Sequence, residues 1–99
     1  MQKLILLLFI LLIPVLACSQ TSEDFFEKGI AKSNLGDYKG AIQDYNKAIE
    51  LDPNLAEAYL NRGVAKILHV KIYSGCLDLS KAGELGNMDA YDLIKKFCQ

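Results

Sequence analysis

Few residues in this chain have the type and spacing to do chemistry. His69 is the single histidine, and the cysteines stand at 18, 76 and 98. None of them has partners at metal-ligand spacing, and no glycine-rich run precedes a helical stretch as a phosphate cradle requires. A lone His near a helix end reads as a solvated or turn-packing side chain. Asp44 and Asp78, like Glu50 and Glu84, recur at one fixed interval with Lys47 and Lys81 nearby. They read as charged pairs on solvated helix faces rather than as an acid and a base. Phe25, Tyr38, Tyr45 and Tyr59 fall at core spacings and make no base-stacking platform. With 11 basic and 12 acidic residues the net charge is −1, and no run of like charges suggests nucleic acid. The expectation is a protein that is not an enzyme, with no metal, cofactor or nucleic-acid partner.

The elements that would position these residues come from a repeat. Shifted by 34, Gly29, Ala31 and Lys32 fall on Gly63, Ala65 and Lys66, and Asp44, Lys47, Ala48, Glu50 and Leu51 fall on Asp78, Lys81, Ala82, Glu84 and Leu85. A period of 34 is the signature of a helical repeat array. Apolar or small residues at 25, 26, 29, 30 and 31, and again at 41, 42, 45, 48 and 49, follow helical spacing. Thr21 with Asp24 reads as a capping box and Gly36 as a helix stop. Asp37 starts a second helix to about Leu51. Asp52-Pro53-Asn54 then reads as a stop followed by an N-cap at Asn54, with Glu57 three residues on. Further helices are expected over roughly 55–68, 72–84 and Met88 to Cys98. Gly29 and Gly63 sit mid-helix at a cost of about 1 kcal/mol each, which points to close approach of Ala41 and Gly75 respectively.

Phe25, Gly29, Gly36, Tyr38, Ala41, Tyr45, Ala48 and Pro53, within GDYKGAIQDYNKAIELDPN (36–54), resemble the signature of the tetratricopeptide repeat family. The second copy begins with AEAYLNRGVAK (56–66) and then departs, with Val70 for the turn Gly, Gly75 for the small Ala and Asn87 for the closing Pro. The expected fold is all-α, a short helical-repeat solenoid of two helix-turn-helix repeats, about 22–54 and 55–87, plus a C-terminal capping helix in 88–99. Phe97 stands where Gly29 and Gly63 stand, so the last helix is expected to end the array. The resemblance implies a groove on the inner face of each repeat's first helix that binds a protein or peptide partner. By position it comprises Glu23, Phe26, Ile30 and Ser33, then Glu57, Leu60, Val64 and Ile67. The alternative is that this apolar face packs on the cap helix or on a second copy, giving a homodimer.

Two repeats fall short of the three usually needed for stability. Cys76 lies about ten residues before the turn at Gly86-Asn87 and Cys98 about eleven after it. At about 1.5 Å per residue both lie about 16 Å from that turn, at one level of an antiparallel helix pair. A disulfide between them is expected if they also face each other; otherwise Cys76 is an apolar filler and Cys98 a terminal thiol.

The first 18 residues read differently. Lys3 precedes an apolar run from Leu4 to Ile13, which Pro14 interrupts before it could span a bilayer. This pattern matches a secretory signal peptide. Val15-Leu16-Ala17-Cys18 resembles the lipobox of bacterial lipoproteins, although Leu16 stands where a small residue is more usual. The resemblance implies lipidation of Cys18 and a membrane-anchored protein of the bacterial cell envelope, tethered through residues 19–21. Ordinary cleavage near Ala17, releasing a soluble periplasmic or secreted protein, is the alternative.

Overall fold

The computed structural model describes residues 20–99; the expected signal peptide over 1–18, with Cys18, and Ser19 lie outside them. Among the described residues five helices follow one another with short turns: α1 Ser22–Asn34, α2 Tyr38–Leu51, α3 Ala56–Leu68, α4 Ile72–Glu84 and α5 Asp89–Phe97. They form an all-α helical-repeat solenoid in which α1 packs on α2, α2 on α3, α3 on α4 and α4 on α5.

Local chemistry sets the helix ends. Thr21 and Asp24 form the capping box: the Asp24 N–H donates to Thr21 Oγ1 at 3.2 Å and the Thr21 N–H to Asp24 Oδ2 at 2.9 Å. Those hydrogen bonds hold the Asp24 carboxyl below the usual carboxylate range. Asp37 caps α2, accepting from the Gly40 N–H at 2.9 Å. The start of α3 differs from expectation. Its N-cap is Leu55, without a side-chain cap, because Asp52 Oδ1 turns back to accept from the Asn54 N–H at 3.1 Å. Asn54 thus lies in the turn, one residue before the cap position.

The turns after α1, α3 and α4 share one pattern. In each the N–H two residues past the cap reaches back to a carbonyl five residues earlier: Asp37 to Lys32 at 2.9 Å, Lys71 to Lys66 at 2.7 Å and Asn87 to Ala82 at 2.9 Å. This closure forces the intervening residue into left-handed backbone. Gly36 (φ 81°) and Gly86 (φ 102°) adopt it freely, whereas Val70 adopts it at φ 62° against the clash of its branched Cβ. That conformation costs about 1–2 kcal/mol for a side-chain-bearing residue.

The core formed by the first repeat and α3 gathers Phe26, Ala41, Tyr45, Ala48, Ala58 and Ala65. Tyr45 and Leu79, 34 residues apart, are the largest side chains that are fully buried. Each sits against a glycine of the preceding helix. At Gly29 the space a Cβ would need is filled by the Tyr45 ring, not by Ala41 as the spacing suggested. At Gly63 and Gly75 the backbones themselves meet: a Cβ on Gly63 would lie 2.8 Å from the Gly75 oxygen, and one on Gly75 2.6 Å from the Gly63 oxygen. Phe26, expected in the groove, is 6% exposed and packs its ring 6.0 Å from that of Tyr45. Its position on α1 faces α2, so it belongs to the core.

The last helix buries less than its sequence suggests. Ala90 is fully buried and Leu93 and Ile94 are half-buried, but Tyr91 is 51% and Phe97 39% exposed. A disulfide joins Cys76 on α4 to Cys98 just past α5, with Cα atoms 5.9 Å apart and 22 residues enclosed. Closing such a loop restricts the unfolded chain by roughly 3 kcal/mol, against a total stability on the order of 5 kcal/mol for about 80 residues. Reduction, or Cys98→Ser, is expected to lower the melting temperature by more than about 10 °C. Hydrogen exchange should show α5 amides losing protection before those of α1 to α3; an unchanged melting curve would show that packing alone holds α5.

Candidate functional site

A cleft of about 190 Å³ opens between α1 and α3, with α2 beneath it. Ile30, Ser33 and Asn34 line it from α1, Tyr38 and Tyr45 from α2, and Asn61, Val64, Ala65 and Leu68 from α3. Helical spacing on α1 and α3 brings these residues to facing sides. Tyr45 forms the floor. Its hydroxyl lies 3.3 Å from Ser33 Oγ, and the Asn61 side chain also hydrogen-bonds it. Burial pushes the Tyr45 hydroxyl up from its ordinary pKa, while the bonds from Ser33 and Asn61 act the other way. The result is a protonated phenol at neutral pH, able to donate as well as accept.

The cleft therefore has apolar walls of Ile30, Val64 and Leu68 over a polar floor of hydroxyls and carboxamides. Its volume is below the roughly 300 Å³ at which sites for cofactor-sized ligands begin. It can seat an apolar side chain and hydrogen-bond the backbone beside it. None of the lining residues is a carboxylate, histidine or cysteine, and among the described residues no three His, Cys, Asp or Glu converge as a metal site.

Of the residues the sequence placed in a groove, the structure brings Ile30, Ser33 and Val64 into the cleft. Phe26 is core. Glu23 and Glu57 are exposed nearer the opposite helix ends, and Leu60 is half-buried outside the lining. Ile67 is turned toward α4, where its Cγ1 closes on Gly75. Asn34, Tyr38, Tyr45, Asn61, Ala65 and Leu68 were missed. The cleft lies at the α1–α2 turn end, so residues from α2 and the last turns of α1 and α3 complete it.

The repeated carboxylates also differ from expectation. Asp44 pairs with Lys32 across the α1–α2 hairpin at 2.8 Å, not with Lys47. This contact raises the Lys32 pKa above its ordinary value. Asp78 is buried. Its Oδ1 accepts from Arg62 Nη2 at 2.8 Å, and its Oδ2 from Arg62 Nε and Lys66 Nζ, each at 2.8 Å. Arg62 Nη1 extends the cluster to Asn46 Oδ1 at 2.9 Å, which ties α2 to α3 and α4. Lys47 and Lys81 pair instead with Glu50 and Glu84 on their own helices, at 3.6 and 3.8 Å. With both oxygens engaged, Asp78 is a clamp between helices rather than a free base. His69 ends α3, its N–H donating to the carbonyls of Ala65 and Lys66, and its side chain is exposed.

The sequence has counterparts among known proteins. Residues 34–67 match the family profile of the TPR repeat. The match covers one full period, entering at the end of α1 and leaving near the end of α3. The chain is similar to a Protein SGT1 homolog of Oryza sativa subsp. japonica, at 45% identity over 52% of this chain and 14% of that protein. It is similar to a Tetratricopeptide repeat protein 36 homolog of Nematostella vectensis, at 35% identity over 67% of this chain and 36% of that protein. It is also similar to the Photosystem I assembly protein Ycf3 of Acaryochloris marina, at 41% identity over 50% of this chain and 32% of that protein. The chain thus spans between 14% and 36% of the length of these relatives. TPR repeats generally mediate protein–protein interactions and are not catalytic families.

Removing one partner of a buried ion cluster leaves the others uncompensated, whereas an exposed pair contributes little. Asp78→Ala is expected to cost about 3 kcal/mol in urea unfolding. Asp44→Ala, whose side chain is 13% exposed but whose partner Lys32 is 42% exposed, should cost less than Asp78→Ala. Equal costs at the two sites would contradict the different burial of the pairs.

Proposed function

We propose that this chain is a TPR protein along its repeat region and a non-enzymatic interaction scaffold, exported to the bacterial cell envelope and anchored through a lipid on Cys18. In this reading the cleft between α1 and α3 receives a partner's extended segment. An apolar partner side chain enters between Ile30, Val64 and Leu68. Ser33, Asn34 and Asn61 hydrogen-bond the adjoining peptide groups, as expected for a peptide laid along a preformed groove. The observation that carries the reading is the cleft itself, apolar at the walls and polar at the floor, with no acid–base or metal-binding group on its lining. The name of one relative, an assembly protein, fits a scaffolding role.

Export and anchoring rest on the sequence: the basic start, the apolar run to Ile13 and Val15-Leu16-Ala17-Cys18. Several acyl chains on one cysteine would hold the protein firmly, where one chain holds only marginally.

Two experiments separate the parts of this proposal. Cys18→Ala is expected to move the protein from the membrane to the soluble fraction and to abolish the added acyl mass. A wild-type protein that is already soluble and unacylated points instead to ordinary cleavage near Ala17. For the cleft, Val64→Asp is expected to lose the partner in a pull-down from native membranes while the helical circular dichroism spectrum survives. Glu57→Ala, on an exposed position outside the cleft, should retain it. If Val64→Asp loses helicity together with binding, Val64 acts in the core and the cleft is not the binding site.

A further inference from the structure

The two repeats also differ on a face that neither the core nor the cleft uses. At exposed positions where the first repeat carries Gly36, Lys39 and Gln43, the second carries Val70, Tyr73 and Leu77. These three are 82%, 80% and 54% exposed. Val70 holds its place at φ 62°, in backbone that suits the glycine of the first repeat. A strained apolar residue left in water, beside two more that replace polar counterparts, is unfavourable for an isolated domain. Together they form a patch on the order of 300–400 Å², within the range of the largest apolar patch on a monomer, which is often functional.

The geometry points to a second copy of this chain as the occupant, docked antiparallel, α4 against α4. Along α4 the outward stripe runs Tyr73, Leu77, Lys81 and Glu84 at spacings of four and three, with Val70 one further step before it and Ser74 and Ser80 as small flanks. The stripe complements itself when reversed about Leu77. Four residues to either side, Tyr73 of one copy meets Lys81 of the other, a cation over an aromatic face. At the ends, Lys71 beside Val70 in one copy meets Glu84 in the other. Lys81 and Glu84 are exposed and only loosely paired at 3.8 Å, so both can turn toward a partner. A lipid surface suits the stripe less well, because Glu84 cancels the charge of Lys81 along it. This face lies on the outer side of α4, away from the cleft, so its failure and that of the cleft are independent.

A zero-length carbodiimide crosslink tests the arrangement on the full chain in detergent. Within one chain Lys71 and Glu84 stand at opposite ends of α4, about 20 Å apart, so a Lys71–Glu84 link can only join two copies. The intrahelical Lys81–Glu84 link controls for reagent activity. The expected result is a dimer band whose peptides carry the Lys71–Glu84 link. Tyr73→Lys with Leu77→Gln, restoring first-repeat residues, should weaken dimerisation at least about tenfold. Val70→Gly should melt higher yet dimerise less. K71E and E84K should each weaken the dimer, and the double variant should restore it. A monomer at micromolar concentrations, a dimer indifferent to these variants, or no rescue in the double variant overturns the proposal. So does a monomer whose stripe instead carries it onto three-to-one phosphatidylcholine–phosphatidylglycerol vesicles.

Discussion

The structure depends on how closely the two helices of each repeat can approach. Between α3 and α4 the limit is backbone against backbone, with Gly63 and Gly75 each leaving no room for the other to carry a Cβ. Packing density in a protein interior leaves no slack for an extra methyl group at such a contact. That approach explains why helix-weakening glycines occur in mid-helix. It also fixes where every other side chain of the pair points. Asp78, one turn after Gly75, has its Cβ pressed close to Gly63. Its carboxylate consequently has nowhere to go but between Arg62 and Lys66.

The first repeat reaches the same end with different material. There Gly29 makes room for a ring rather than for a backbone, and Tyr45 fills the seam that Leu79 fills in the second repeat. The exchange has a functional consequence. A leucine would only seal the floor, whereas Tyr45 brings a hydroxyl up to Ser33 and Asn61 and makes the bottom of the cleft polar. Core packing and the chemistry of the candidate binding surface therefore meet in one side chain. The Lys32–Asp44 pair is also more open to water than its counterpart at Lys66 and Asp78.

A solenoid this short has little core in proportion to its surface, and stability is gathered from several sources. Apolar packing supplies most of it in the first repeat. The second adds a buried charge cluster that reaches back to Asn46 on α2, and the disulfide fastens α5, whose exposed Tyr91 and Phe97 contribute less than their size suggests. Asn87, standing where the first repeat has Pro53, accepts from the Asp89 N–H at 3.1 Å and so helps start α5. The departures from the repeat pattern in the second unit thus serve the junction with the last helix, except on the outer face of α4.

The sequence alone determined the helices, their order and their ends, because these follow from short-range chemistry: the Thr21–Asp24 box, Asp37, the glycine stops and a 34-residue period. It also brought Cys76 and Cys98 to one level, since helical rise counts residues into distance. It was weakest where a side chain's role depends on which neighbour it faces. Phe26, Ile67 and Asp78 carry spacings that suit a surface as well as a core, and Leu55 outranked Asn54 as a cap because Asp52 had already claimed the turn. Six of the nine cleft residues were invisible for the same reason. Periodicity says that a helix has a buried side, but only the packing of α2 under α1 and α3 decides which residues of three separate helices come to share one space.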